Sequence, residues 1–255
     1  YYYCKTDYLN ALIHFNTAAL MEPENYQPLF YMALVYRRMG DWDKSQKLIH
    51  KVIAQNPQEA LYLTNIGLSY TYLHNFDSAI IYHQKAIDVL PEWSAPYINK
   101  IQTMLLKSGY TPEIQAILDT AIVKTRDNLI EYKVLMDIYR GNYLHALAEA
   151  ARSSSSDFYN KGSRYLYFAN IYELLKQPEI AGKYYDSALV VLNLELLKGN
   201  EDPFIHGYLG IGYAGKKIEA KAVEEGKRAI ELAVERKNKM DESDMNLILA
   251  EIYTM

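Results

Sequence analysis

Apolar and polar positions along the chain repeat with a helical rhythm. In "LTNIGLSYTYLHNFDSAIIYHQKAIDVLP" (63–91), Leu63, Ile66, Gly67 and Tyr70 are spaced to share one face of a helix. Ala79, His83 and Ala86 share a face of a second helix, and Pro91, which has no N–H to donate, closes it. The preceding stretch "LFYMALVYRRMGDWDKSQKLIHKVIAQNP" (29–57) carries the same pattern. Leu29, Met32, Ala33, Tyr36, Ser45 and Pro57 each lie 34 residues before Leu63, Ile66, Gly67, Tyr70, Ala79 and Pro91. The spacing predicts helix–turn–helix units stacked as a repeat array, because a fixed period of this size is the mark of a solenoid.

Each recurring position has a mechanical cause. A small residue at Gly67 and Ala79 lets the first helix (A) and second helix (B) of a unit approach closely. Tyr70, three residues beyond Gly67, fills the wedge between helices. The register extends backwards through Ala11, Phe15, Ala18 and Pro23, with Tyr2 in the tyrosine slot. Forwards, a degenerate unit starts at Ser94 and its second helix opens at Thr111-Pro112-Glu113, a cap followed by proline at the first helical position. A fifth unit, "MDIYRGNYLHALAEA", puts Tyr139 and Ala146 in the consensus slots with a turn two residues shorter. A sixth has Ala169, Tyr172, Ala181, Tyr185 and Ala188; a seventh has Gly210, Tyr213, Ala222, Gly226 and Ala229; an eighth begins at Leu249, Ala250 and Tyr253. The expected organisation is one array over 1–255: a partial unit at 1–24, units at 26–58, 60–92, 94–126, 128–155, 160–200 and 203–238, and a partial unit at 243–255. The incomplete end units mark the chain as a piece of a longer protein, with Leu249, Ile252 and Tyr253 bare and able to stack end to end on a second molecule.

The ladder Leu63-x-x-Ile66-Gly67-x-x-Tyr70 … Ala79-x-x-x-His83 … Pro91 resembles the tetratricopeptide repeat (TPR) family, with Leu63 in place of the family's Trp and His83 in place of its Phe. The resemblance implies an all-α solenoid of about fourteen helices in a right-handed superhelix, acting as a non-catalytic scaffold that holds a protein or peptide segment in its concave groove. From about Asp127 onward, "ANIYELLKQPEIAGKYYDSAL", "YLGIGYAGKKIEAKAVEEGKRAIELA" and "LAEIY" also resemble TPR arrays of bacterial signalling proteins with TolB-like, adenylate-cyclase or kinase domains upstream. Lys216-Lys217 stands where those arrays usually have glycine. The alternative function is therefore a regulatory arm of such a protein.

Composition narrows the field. Half the residues are hydrophobic, and 12 glycines and 8 prolines leave few helix breakers. The recurring slot takes Tyr2, Tyr36, Tyr70, Tyr139, Tyr172, Tyr213 and Tyr253 of the 25 tyrosines. A net charge of −4 with no clustered Lys or Arg gives no nucleic-acid footprint. Cys4 is the single cysteine, which excludes an internal disulfide and fits a reducing, cytoplasmic setting. No apolar run approaches the ~20 residues of a membrane span. The histidines lack metal-ligand spacing, and the carboxylates are interleaved with Lys and Arg as on a solvated helix face; no cofactor is expected.

One motif needs a decision. Gly210, Gly212 and Gly215 in "GIGYAG" have the spacing of a dinucleotide-binding fingerprint. That motif requires a strand before it and a helix after it, whereas "NEDPFIHGYL" reads as a turn and a helix start capped by Asp202. The glycines are instead expected inside a helix, either against a tight neighbour or baring the groove floor at Gly207 and Gly215. "ARSSSSDFYNKG" (151–162) reads as a flexible loop, with a phosphoserine switch as the sharper alternative. The carboxylate-binding clamp of some TPR domains does not carry over: its slots fall on Phe30, Leu34, Asn65, Ala95 and Asn99, and Asn65 alone agrees.

The inward slots of the A helices give the candidate groove: Gln27, Tyr31, Leu34 and Arg38; Asn65, Leu68 and Tyr72; Asn99 and Gln102; Lys133, Asp137 and Arg140; Tyr167, Asn170 and Glu173; and Tyr208. Amides can satisfy a peptide backbone and tyrosines can pack its side chains. The fourth and fifth units lack the closing proline, so amide exchange is expected to be fastest between about 108 and 160. Uniform protection along the chain would contradict this.

Overall fold

The computed structural model describes residues 7–154, 158 and 160–255. Tyr2 and Cys4, and Ser155, Ser156, Asp157 and Tyr159 of the serine-rich stretch, lie outside the described residues. Among those described, fourteen helices and no strand occur. The chain divides into two compact units, one of residues 1–128 with 237–240, the other of residues 129–236 with 241–255.

The first unit runs α1 (Tyr8–Met21), α2 (Gln27–Arg38), α3 (Trp42–Gln55), α4 (Ala60–Tyr72), α5 (Phe76–Val89), α6 (Ser94–Ser108) and α7 (Pro112–Thr125). The helices pack as consecutive neighbours, with α2 on α3 and α4 on α5. Asp7, Asp41 and Asn75, themselves 34 residues apart, cap α1, α3 and α5 by accepting backbone N–H bonds from Asn10, Lys44 and Ser78. Phe30, Ala33, Ile49, Val52 and Ile66 form the core between α2, α3 and α4. Two buried polar contacts tie successive A helices: the Arg37 guanidinium donates to Asn65 O at 2.9 Å and Asn65 Oδ1 at 3.1 Å, and Thr71 and Thr103 share a bond of 2.7 Å.

The second unit runs α8 (Ile130–Tyr139), α9 (Tyr143–Arg152), α10 (Lys161–Leu174), α11 (Pro178–Leu197), α12 (Pro203–Gly215), α13 (Glu219–Glu235) and the greater part of α14 (Lys239–Thr254). Leu166, Ala169, Ala181, Tyr185, Ala188, Leu192, Ile205 and Leu209 make its central core. The residues of the serine-rich stretch that are described are fastened rather than loose. Ser153 is buried, donates to Ala150 O at 2.6 Å and accepts from Arg164 Nε at 3.1 Å, and Phe158 is buried beside Phe168 and Ile171.

The turns between A and B helices fix the register. In all of these but the α6–α7 turn, a residue in the left-handed region is followed by an N–H that bonds back to a carbonyl five residues earlier, a Schellman motif. Asp41 bonds to Tyr36, Asn75 to Tyr70, Gln177 to Tyr172 and Ile218 to Tyr213. The left-handed residues are Gly40, His74, Lys176 and Lys217, so Lys217 takes a conformation for which glycine is favoured. In the fifth unit Gly141 is left-handed and Asn142 bonds to Asp137. Asp137 therefore holds the tyrosine slot, Tyr139 does not, and the turn has full length. Tyr139 is correspondingly 51% exposed. Asp137 is buried and accepts from His145 at 2.6 Å, with Arg140 at 3.6 Å.

The end helix also departs from expectation. Ile252 is buried against Gly210 and Gly226, and Leu249 is half-buried over Gly226; of the three residues expected bare, Tyr253 alone is exposed.

His83 is the weak point of the first unit. Its ring lies against Gly67, is fully buried, and neither ring nitrogen has a hydrogen-bond partner among the described residues. Burial, aided by the nearby Lys100 charge, lowers its pKa from 6.5 to about 4. Between those values the unfolded chain binds a proton that the folded chain refuses, so stability is full above about pH 6.5 and falls as the pH falls. His83→Phe should remove about 2 kcal/mol of the stability lost between about pH 7 and about pH 5. Urea melts at the two pH values measure it; an equal loss in both proteins would refute the assignment.

Candidate functional site

A cavity of about 450 Å³ lies in the second unit. Three A helices line it at helical spacing: Glu131, Leu135, Ile138 and Tyr139 of α8; Ser163, Leu166, Tyr167 and Asn170 of α10; Tyr208 and Ile211 of α12. The gaps of three and four residues put each set on one face of its helix. Tyr185 of α11 reaches in from a B helix, and Glu251 and Met255 complete the lining.

Three interactions set its electrostatics. The Tyr167 hydroxyl donates to Glu131 Oε1 at 3.0 Å. Burial raises the Glu131 carboxyl above its usual range, and this bond opposes the rise. Tyr167 is pushed well above the ordinary phenol value, chiefly by burial and then by the Glu131 charge, so it stays a neutral donor. The Phe158 ring packs 5.1 Å from the Tyr167 ring and steadies it. Tyr185 is buried and raised to about 12, first by burial and then by Glu173 and Glu251. No Lys, Arg or His belongs to the lining.

Of the residues read as inward-facing in this unit, Tyr167, Asn170 and Tyr208 line the cavity, while Lys133, Asp137, Arg140 and Glu173 do not. The fifth unit was misaligned by two residues. With Asp137 in the tyrosine slot, the inward positions of α8 become Glu131, Leu135, Ile138 and Tyr139, the four that line the cavity. Glycine at Gly141 after a helix-length run is the signal that places this turn. Tyr185 lies outside any pattern of A-helix slots, whereas Glu251 stands two residues before Tyr253 as Leu68 stands before Tyr70, an inward slot of the eighth unit that the sequence reading did not extend to.

In the first unit the candidates are scattered among structural roles. Asn65 is engaged by Arg37, and its amide donates to Leu61 O at 2.9 Å. Tyr31 stacks on Phe15 and Tyr72 on Trp42, at centroid distances of 5.4 and 6.2 Å. Leu34 packs at the edge of the Phe30 core, Leu68, Arg38 and Asn99 are half-buried, and Gln27 and Gln102 are exposed.

The glycine motif lies wholly inside α12. A Cβ at Gly210 would stand 2.5 Å from Ile252 Cδ1 and 3.0 Å from Ala222 O. One at Gly212 would stand 2.9 Å from Leu189, one at Gly207 3.1 Å from Ile248, and one at Gly215 would overlap the Tyr185 ring. These glycines admit neighbouring side chains; they do not bare a groove floor. Among the described residues no three His, Cys, Asp or Glu cluster as a metal site, and no helix is long and apolar enough to cross a membrane.

Repeat spacing, paired helices and Schellman turns now stand together, and the family model for the tetratricopeptide repeat matches residues 27–92. Over those residues the chain is similar to the tetratricopeptide repeat family. Cell division cycle protein 27 homolog A of Arabidopsis thaliana is 30% identical over 81 residues, which span 32% of this chain and 11% of that protein. A tetratricopeptide repeat protein from Parabacteroides merdae superposes with a TM-score of 0.63 at 14% identity, over 99% of this chain and 94% of that one. A chain of the APC/C hetero-tetramer Cut9-Hcn1 superposes at 0.58 and 16% identity, over 98% of this chain and 48% of that one. The fold throughout is that of TPR helix pairs.

Gly210→Ala is expected to destabilise the chain by about 1–3 kcal/mol, although alanine is the better helix former by about 1 kcal/mol. Urea denaturation measures it. A neutral or stabilising effect would show that the close packing of α12, α13 and α14 at Gly210 is not needed.

Proposed function

We propose that this chain, whose TPR fold supports a protein–protein interaction scaffold, acts through the A-helix face of its second unit, which holds an extended peptide segment of a partner protein. The observation that carries this is the cavity shared by α8, α10 and α12, whose lining comes from the same face of three A helices. Its volume of about 450 Å³ lies within the range of about 300–1,000 Å³ typical of ligand pockets. Asn170 can bond a peptide backbone, and the tyrosines can pack its side chains. The similar chain of the Cut9-Hcn1 hetero-tetramer also belongs to a multi-protein assembly. The regulatory-arm alternative of the signalling resemblance draws on no separate feature of the fold.

Peptides selected from a random library for binding to the chain provide the test. Tyr167→Ala and Asn170→Ala should each cost about 1–3 kcal/mol of peptide affinity with the helical circular dichroism retained. Unchanged affinity in both variants, or loss of affinity only on B-helix substitutions, would overturn the groove assignment.

A further inference from the structure

Charge is distributed unevenly in the cavity of the second unit. Glu131 spends one oxygen on the Tyr167 hydroxyl, and its other oxygen accepts no bond among the described residues. The Glu251 carboxylate has no hydrogen bond or ion pair among the described residues. Among the described residues no basic side chain lines the cavity to balance them, Lys217 being spent on the backbone oxygen of Met255 at 2.7 Å. The rings of Tyr167, Tyr185 and Tyr208 line the same cavity as the two carboxylates. Elsewhere in this chain tyrosine rings already hold cations: Lys44 Nζ lies 5.1 Å from the Tyr36 centroid, Lys85 Nζ 4.9 Å from Tyr82, and Lys221 Nζ 5.3 Å from Tyr213. In the cavity the same ring type lines a space with acceptors and no cation.

We infer that the cavity is the subsite for an arginine side chain of the bound peptide, with Glu131 and Glu251 as its counter-charges and the tyrosines as its walls. This rests on the groove reading above and names what the groove selects. A guanidinium fits better than an ammonium for two reasons. Its plane stacks on aromatic faces, and its five N–H donors can bond more than one acceptor, where an ammonium is a point charge with three. Glu131, half-buried and with one oxygen unpartnered among the described residues, pays part of its desolvation cost in the free protein. The arriving cation recovers that cost, so the electrostatic gain appears as affinity. Acidic peptides are rejected on the same grounds.

The experiment titrates the ¹⁵N-labelled chain with two capped peptides, acetyl-Ala-Gly-Arg-Gly-Ala-amide and the same sequence with citrulline, a neutral isostere of arginine. The arginine peptide should give saturable shifts at Tyr167, Asn170 and Tyr208, with a Kd of about 1 mM or tighter. The citrulline peptide should bind about tenfold more weakly. Glu131→Gln keeps an acceptor for Tyr167 and removes the charge, and it should weaken the arginine peptide about tenfold and leave the citrulline peptide unchanged. Glu251→Gln, at a position with much of its surface exposed, should act in the same direction and covers the case in which Glu131→Gln unfolds. Equal binding of the two peptides at these residues overturns the arginine subsite and leaves the groove standing. Absence of shifts there with either peptide overturns both.

Discussion

The structure depends on one recurring contact: a large side chain of one helix pressed against a position with no side chain on its neighbour. His83 lies on Gly67, Leu192 on Gly162, Ile252 on Gly210 and Tyr185 on Gly215. Each contact brings two helices closer than alanine would allow. Helix interiors are costly places for glycine, by about 1 kcal/mol each, so the packing gained must exceed that. A pair of helices alone leaves its outer apolar face bare, and close stacking of the next helix is what covers it. The buried rows of Ala33, Ala79, Ala86, Ala181, Ala188, Ala222 and Ala229 belong to the same solution.

The groove follows from that arrangement. Once Tyr185 is seated over Gly215, its ring turns from core filler into the back wall of the cavity. Tyr167 and Glu131, on different A helices, are linked by a single hydrogen bond across the cavity floor. Tyrosine suits this setting because its ring buries apolar area while its hydroxyl reaches a polar partner. The chain thus uses one residue type for two purposes, as a wedge at Tyr36, Tyr70, Tyr172 and Tyr213, and as a lining at Tyr167, Tyr185 and Tyr208.

Periodicity made most of the fold legible. The 34-residue matches from Leu29 to Pro91 identified the helix pairs, and the caps at Asp7, Asp41 and Asn75 repeat with the same spacing. The fifth unit was misread because a tyrosine, Tyr139, stood two residues from a slot that Asp137 occupies, and residue type outweighed turn chemistry. Glycine at Gly141 was the better guide, since the left-handed turn residue fixes the register whatever fills the slot. That two-residue error moved the predicted groove from Glu131, Leu135 and Ile138 to Lys133, Asp137 and Arg140. Tyr185 was illegible for another reason: it reaches the cavity from a B helix through long-range packing, which a pattern of A-helix slots does not encode, whereas Glu251 stands before Tyr253 as Leu68 stands before Tyr70 and was legible once the slots were extended to the eighth unit. The glycines of α12 were recognised as helical, but which neighbour each admits depends on α14, beyond the reach of local spacing.

The central claim is that a partner is held by the A helices of the second unit. Amide hydrogen exchange of the chain, with and without a peptide selected for binding, tests it most directly. The account predicts added protection confined to α8, α10 and α12, with α9, α11 and α13 unchanged. Protection gained mainly on α9, α11 and α13 would contradict it.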